Sequence, residues 1–139
     1  MLWLKRELVA QLYAQAESAA PRECCGVLLG KNRAEQLIAI PNCASSEDYF
    51  EFDSQAQLQL WRRLQAKGHN NQRIQAIYHS HVKAAAIPSQ GDLAMARHAG
   101  LIGPEMHHLI ICASPVYLAR LRSFVILPQR SYEEAIQLF

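Results

Sequence analysis

The sequence lacks the features that would place it in a membrane, in a secretory route or on nucleic acid. No segment approaches the roughly 18 unbroken apolar residues of a membrane-spanning helix, and charges near the N-terminus interrupt the place where a signal peptide would carry its apolar core. The 14 basic and 12 acidic residues leave a formal net charge of +2 and form no run of one sign. We therefore expect a cytoplasmic protein that has neither nucleic acid nor a membrane as a partner.

The four cysteines, Cys24, Cys25, Cys43 and Cys112, form no C-x-x-C pair. Cys24 and Cys25 are adjacent and cannot readily bridge each other, so all four are expected to be reduced. Cys25 and Cys112 lie in apolar runs, where a cysteine usually acts as a small buried hydrophobic residue.

The remaining composition is that of an ordinary globular protein. Hydrophobic residues make up 50% and charged residues 19% of the 139 residues, and neither a repeat nor a linker interrupts the chain. We expect residues 1–139 to form a single domain.

Apolar patterning predicts three helices and several strands. Apolar residues recur at helical spacing in three segments, each followed by Pro or Gly, and this pattern predicts helices over residues 4–19, 54–67 and 89–99. Short apolar runs predict strands over residues 25–29, 36–40, 74–81, 106–112 and 116–127. The first two strands are expected to form a hairpin, and residues 69–71 a turn. Strands outnumber helices and several connections are too short for crossovers, which favours an α/β architecture with a mixed sheet layered by helices.

Two segments are harder to place. The alternation of Tyr49, Phe50 and Phe52 suggests a short edge strand that covers part of the core, although a wall of a substrate site is the alternative. Residues 132–139 are expected to be a short helix or a frayed tail.

Residues 77–92 carry a spacing that is typical of metal ligands. His79 and His81 are one residue apart in a predicted strand, so both side chains point to the same face. Ser89 is a good N-cap, and Asp92 then lies in the first turn of the following helix. Two histidines and one carboxylate leave one tetrahedral position of zinc open, as in catalytic sites.

Each half of this pattern has a plainer interpretation. Ser89 and Asp92 could form only a capping box, and His79 and His81 could be half-buried strand residues without a ligand. Both features together, in this order, favour a metal site.

The same segment contributes to a motif that resembles a known family. The motif consists of Glu23, which precedes an apolar run, then His79-Ser80-His81 and Pro88-Ser89-Gln90-Gly91-Asp92. This combination resembles the JAMM (MPN-plus, Mov34/MPN/PAD-1) family of zinc metalloproteases, over about residues 4–127. One departure is Val82, which stands where family members usually have proline after the second histidine. Without that proline we expect residues 82–87 to be more mobile.

The resemblance implies a role for each residue of the motif. His79, His81 and Asp92 would bind Zn²⁺, Glu23 would be the general base, and the Ser89 hydroxyl would steady the oxyanion. It also implies a cytidine-deaminase-like α/β/α fold.

The resemblance further implies a substrate. The eight residues 100–107 leave no room for a linkage-reading insertion, so the chain resembles the minimal prokaryotic members. We expect hydrolysis of the peptide-like bond after the C-terminal Gly-Gly of a ubiquitin-like or sulfur-carrier protein. A catalytically silent MPN-type scaffold and a general small-peptide metallopeptidase are the alternatives. A zinc deaminase and a helical HExxH protease are excluded because their motifs are absent.

The other histidines are not expected to bind metal. His107 and His108 are neighbours in a predicted strand and point to opposite faces, so one should be in the core or behind the site and the other in solvent. His69 and His98 are expected to be ordinary surface residues.

Overall fold

The computed structural model describes residues 1–66 and 72–139. In chain order, the helices and strands of these residues are β1 (Leu2–Leu4), α1 (Arg6–Ala19), β2 (Cys25–Gly30), β3 (Gln36–Ile40), α2 (Ser54–Gln65), β4 (Arg73–His81), α3 (Gln90–His98), β5 (His107–Cys112), β6 (Leu121–Ile126), β7 (Ser131–Glu134) and β8 (Ile136–Leu138). Six strands form one sheet in the order β3-β2-β4-β5-β6-β7, and β1 pairs with β8 in a second, two-stranded sheet.

The six-stranded sheet is mixed, as predicted. β4 and β5 are parallel, and α3 provides the crossover connection that such a pair needs. The other neighbouring pairs of this sheet are antiparallel, and β2 and β3 form the expected hairpin. β4 therefore lies inside the sheet, where its main chain is hydrogen-bonded on both sides.

Helices cover both faces of this sheet, which confirms the layered α/β fold. Val27 and Leu28 are neighbours on β2 and point to opposite faces. Leu28 belongs to the same apolar cluster as Leu12 of α1, and Val27 to the same cluster as Leu60 of α2. Because both faces are buried, β2 is a continuous apolar run in the sequence rather than an alternating one.

The two ends of the chain differ from the predictions. The helix predicted over 4–19 begins only after β1, because Leu2 and Leu4 are buried while Trp3 is exposed, which is the two-residue period of a strand. The prediction of a helix or frayed tail over 132–139 is wrong, because this segment pairs with β6 and with β1. Three-residue strands are too short for periodicity to reveal them.

Residues 41–53, here called the 41–53 loop, do not form the predicted edge strand. Within this fully described segment, ladder pairing is limited to an isolated bridge between Asn42 and Phe52. The reason is local. The side chain of Asn42 accepts hydrogen bonds from main-chain N–H groups of the loop, so these groups do not pair with a neighbouring strand. The strand predicted over 116–127 is also shorter and begins at Leu121.

The ends of the later helices follow the predicted breaking residues where they are described. α3 ends just before Gly100, whose φ of 71° favours glycine. The stop predicted at Gly68 and the turn predicted over 69–71 lie outside the described residues. In the described ranges, no helix is both long enough and apolar enough to cross a membrane.

Candidate active site

β4 ends in the two histidines of the predicted motif. His79 and His81 are both buried, and their Nε2 atoms are 3.1 Å apart. Ser80 lies between them and points away, and its hydroxyl accepts a hydrogen bond from the main-chain N–H of Cys24 at 2.8 Å. The alternation of a strand thus brings the two imidazoles together.

Asp92 joins them from the start of α3. The Ser89 hydroxyl caps this helix by accepting from the main-chain N–H of Asp92 at 3.0 Å, and the N–H of Ser89 donates to Oδ2 of Asp92 at 2.9 Å. The capping box of the plainer interpretation is therefore present. The same carboxylate oxygen lies 3.1 Å from Nε2 of both His79 and His81, so capping and the histidine cluster share one group.

The three donor atoms form a triangle, here called the donor triangle, made of His79 Nε2, His81 Nε2 and Asp92 Oδ2. A tetrahedral zinc ion with bonds of about 2.0–2.1 Å spaces its ligands about 3.3 Å apart, close to the observed 3.1 Å. His81 Nδ1 donates to the carbonyl of Ala85 at 2.8 Å, so a neutral His81 turns its Nε2 lone pair toward the carboxylate. Electron-rich atoms converge here, and a cation stabilises such an arrangement. The donor set therefore fits a metal ion.

Burial and hydrogen bonding adjust the charges of these groups. Burial lowers the pKa of His79, which favours the neutral imidazole. Burial alone would raise the pKa of Asp92, but hydrogen bonds with His79 and His81 outweigh it and hold that pKa well below its usual range. Burial also acts to lower the pKa of His81, yet hydrogen bonds with Asp92 and Ala85 raise it overall. Metal ligation needs an ionised carboxylate and neutral imidazole, so a metal ion that binds here would displace the proton of His81.

Glu23 stands directly before β2 and is only 5% exposed. Its Oε1 atom is buried and has no hydrogen-bond partner among the described residues. Burial raises the pKa of Glu23 to about 7, while His81 opposes the shift and Asp92 adds to it. One oxygen of Glu23 and one ring nitrogen each of His79 and His81 all lie within 4.8 Å of one another, so these three residues could also hold a metal ion. Glu23 thus lies beside the donor triangle with an oxygen free to accept a proton.

Ser89 and Glu23 line the same groove, which has a volume of about 260 Å³. His81, a lysine and two other acidic side chains also line it, so we call it the polar groove. Because the Ser89 oxygen accepts from the N–H of Asp92, its own hydroxyl hydrogen is left to donate into the groove.

A larger and mostly apolar chamber, of about 490 Å³, borders the other side of the donor triangle. Its lining includes Phe50 and Phe52 from the 41–53 loop and Met95 from α3. The Phe50 ring stacks on the ring of His79, with centroids 4.5 Å apart and planes 23° from parallel. The aromatic residues that were expected to form an edge strand form a wall of this chamber instead. Three aromatic residues within four positions are the sequence signal for such a wall.

The two adjacent histidines of β5 point to opposite faces, as predicted, and neither joins the donor triangle. His107 contacts a glutamate of β7, and His108 donates from Nε2 to the carbonyl of Leu101 at 2.7 Å. His107 is not in solvent as expected, because its side chain is only 13% exposed. Burial lowers the pKa of His108 to about 4, and its side chain lines the chamber. His98 is exposed as expected, and His69 lies outside the described residues.

The loop after the second histidine, residues 82–88, is held by contacts to three successive carbonyls. The donors and carbonyls are Tyr117 to Lys83, Cys112 to Ala84 and His81 to Ala85. Ala86 is fully buried. With Val82 in place of proline, surrounding side chains rather than a proline ring constrain this loop.

The chain matches a known family over most of its length. Residues 5–127 match the prokaryotic homologues of the JAB domain. The chain belongs to this family. It is 30% identical over 139 residues to a protein named CysO-cysteine peptidase from Mycobacterium tuberculosis, and the match covers 98% of this chain and 90% of that protein.

Two further similarities agree with membership of the JAB family. The chain is 33% identical over 98 residues to a protein from Thermus thermophilus named "Probable TtuB-protein conjugate cleaving protease", covering 70% of this chain and 64% of that protein. The solution structure of protein DSY2949 from Desulfitobacterium hafniense is similar with a TM-score of 0.79 and 27% identity, covering 100% of this chain and 93% of that one. These findings confirm the family resemblance, the fold and the expectation of a peptidase of the JAMM type.

Proposed function

We propose that this JAB-family protein is a zinc-dependent peptidase that hydrolyses the peptide-like bond after the C-terminal Gly-Gly of a ubiquitin-like or sulfur-carrier protein. The observation that carries the proposal is the donor triangle beside a carboxylate oxygen of Glu23 that has no hydrogen-bond partner among the residues described. The relatives' names, a CysO-cysteine peptidase and a protease for TtuB-protein conjugates, support a conjugate of a small protein as the substrate.

In this proposal, His79, His81 and Asp92 hold the zinc ion. Zinc suits this donor set because it accepts imidazole nitrogen and carboxylate oxygen in tetrahedral geometry. When bound, the ion would supply a Lewis acid at this site. The capping box holds the Asp92 carboxylate in place, and the contact with Ala85 fixes the tautomer of His81.

Glu23 and Ser89 carry the proton transfer and the charge stabilisation. Oε1 of Glu23 has no hydrogen-bond partner among residues 1–66 and 72–139, so it is available to take a proton from the attacking water and pass it to the leaving amine. A pKa raised by burial to about 7 suits a group that must both accept and release a proton near neutral pH. The Ser89 hydroxyl, which faces the same polar groove, would donate to the developing oxyanion.

The two cavities differ in a way that orients the substrate. Glu23 lines the polar groove and has to reach the leaving amine, so we assign the leaving group to this groove and the carrier's tail to the chamber side. Gly-Gly is slim enough to lie extended near the ion, where larger side chains would clash. Docking of the carrier's globular body outside the site would then supply specificity. The expected cytoplasmic location belongs to the same proposal and is supported by four free cysteines.

The alternatives make different use of the same site. A general small-peptide metallopeptidase would use all five residues but would gain nothing from the carrier's body. A silent scaffold would not need the complete set that lies together here.

The test compares a candidate carrier fused through Gly-Gly to another residue with a short Gly-Gly-x peptide. We expect the zinc-loaded protein to cut the fusion after Gly-Gly, with kcat/KM well above that for the peptide, and Glu23→Gln to cut neither. Equal kcat/KM for the peptide and for every fusion would contradict the proposal and favour the general peptidase. A zinc-loaded protein that cuts nothing would favour the scaffold.

A further inference from the structure

The side chain of Asn42 lies outside the donor triangle but is hydrogen-bonded to the main chain of Glu23 and to that of the 41–53 loop. The carboxamide of Asn42 has two N–H donors and two acceptor lone pairs, and all four are used. Nδ2 donates to the carbonyl of Glu23 at 2.8 Å and, at 3.5 Å, to that of Tyr49. Oδ1 accepts from the main-chain N–H groups of Ala44 at 2.9 Å and Glu51 at 3.0 Å.

Through these bonds, Asn42 holds the main chain on both sides of Phe50. Tyr49 precedes Phe50 and Glu51 follows it, and each gives one main-chain group to Asn42. Phe50 is buried and its ring stacks on His79. The position of the 41–53 loop therefore restricts the orientation of a proposed zinc ligand.

Asn42 also contacts the main chain of the proposed general base, Glu23. The peptide bond between Glu23 and Cys24 is clamped at both polar atoms, because its carbonyl accepts from Asn42 and its N–H donates to Ser80 at 2.8 Å. Ser80 itself lies between the two histidines of β4. The main chain of Glu23 is thus fixed to β4 and to the 41–53 loop, while Oε1 of its side chain has no partner in the described part of the chain.

We propose that Asn42 is a positioning residue of the peptidase site. Its single amide group fixes the position of the Glu23 main chain and of the Phe50 ring that stacks on His79. The inference rests on the proposed function, since it takes Glu23 to act on the substrate. Positioning groups behind a metal site typically affect activity or metal affinity by about 10–100-fold. Aspartate has the same shape but no N–H donor, and alanine removes all four bonds, so the two substitutions separate the donor bonds from the acceptor bonds.

The experiment uses two variants of Asn42 and two matched controls. Asn42→Ala removes all four bonds, whereas Asn42→Asp keeps the acceptor for Ala44 and Glu51 and loses the donors to Glu23 and Tyr49. Asp53→Ala removes one side-chain bond at the other end of the 41–53 loop, where it caps α2. Asn32→Asp makes the same chemical change at an exposed turn. The measurements are kcat and KM on the carrier fusion, amide hydrogen exchange by NMR, and zinc affinity by competition with a chelator.

We expect Asn42→Ala to lower kcat about 10–100-fold with little change in KM, and to lower zinc affinity. The amides of Ala44 and Glu51 should then exchange faster. Asn42→Asp should keep these amides protected and still lower kcat. Asp53→Ala should lower the Tm with kcat unchanged, and Asn32→Asp should change neither.

Two results would overturn the inference. One is a kcat of Asn42→Ala equal to that of Asp53→Ala, and the other is wild-type exchange of both amides in Asn42→Ala. If the wild-type protein cuts no carrier fusion, the proposed function fails by itself, and the amide exchange and zinc affinity of Asn42→Ala still decide whether Asn42 positions the site.

Discussion

Ser89 and Asp92 hold each other through two reciprocal hydrogen bonds at the start of α3, at 2.9 and 3.0 Å. The Asp92 oxygen that accepts from the N–H of Ser89 is the one that contacts both histidines of β4. Helix capping and the proposed metal centre therefore depend on the same pair of residues, and a change at Ser89 acts on both.

The first prediction separates these two roles of Ser89. Ser89→Ala should cost about 1 kcal/mol of unfolding free energy for the lost cap and lower kcat by about 10²–10³ for the lost oxyanion donor. Asp53→Ala, which removes the cap of α2, should cost similar stability with kcat unchanged. Urea unfolding and steady-state kinetics measure the two effects. A kcat for Ser89→Ala within a few-fold of wild type would exclude an oxyanion role.

Much of the donor triangle could be predicted from sequence because its geometry is mostly local. His79 and His81 follow the two-residue period of one strand, and Ser89 and Asp92 follow the capping pattern of one helix. What no local rule gives is that β4 and α3 bring these pairs within 3.1 Å of each other. The order of the two patterns favours one shared metal site, and the family resemblance implies the same three ligands.

The parts that sequence reasoning missed depend on contacts between distant segments. Phe50 stacks on His79, 29 positions away, and the Asn42 amide reaches the carbonyl of Glu23 across 19 positions. A single Asn after a strand is usually only a turn residue, so nothing in the sequence distinguishes Asn42. β1 and β8 were missed because a parallel pair of three-residue strands has no periodic signal.

A second prediction concerns metal content. The double variant His79→Ala plus His81→Ala should bind no zinc, because it leaves one carboxylate of the donor triangle. Elemental analysis of protein prepared without added metal should give one zinc per wild-type chain. His98→Ala, at an exposed histidine, should keep the wild-type content. Unchanged zinc in the double variant would rule out the site.

The third prediction is a dependence of stability on pH that comes from His108. Burial lowers the pKa of His108 from 6.5 to about 4, so folding favours its neutral form. The contribution is complete above pH 6.5 and is lost as the pH falls toward 4, a loss of about 3 kcal/mol. His108→Gln keeps an N–H donor for Leu101 and should weaken this acid dependence in urea unfolding.

The control for His108 is His98→Gln, because His98 is exposed. This variant should retain the wild-type change in unfolding free energy between pH 6.5 and 4. If His108→Gln loses as much stability on acidification as His98→Gln, then His108 is not the source of the effect.

The fourth prediction concerns Glu23, the proposed general base beside the donor triangle. The measurement is turnover of the carrier fusion by Glu23→Gln, together with the zinc content of the same sample. Glutamine keeps the size of Glu23 but cannot accept the proton of water at neutral pH, a role worth roughly 10²–10⁴ in rate. We predict full zinc content and no detectable turnover. Turnover within a few-fold of wild type, with zinc retained, would contradict the account by removing Glu23 as the base.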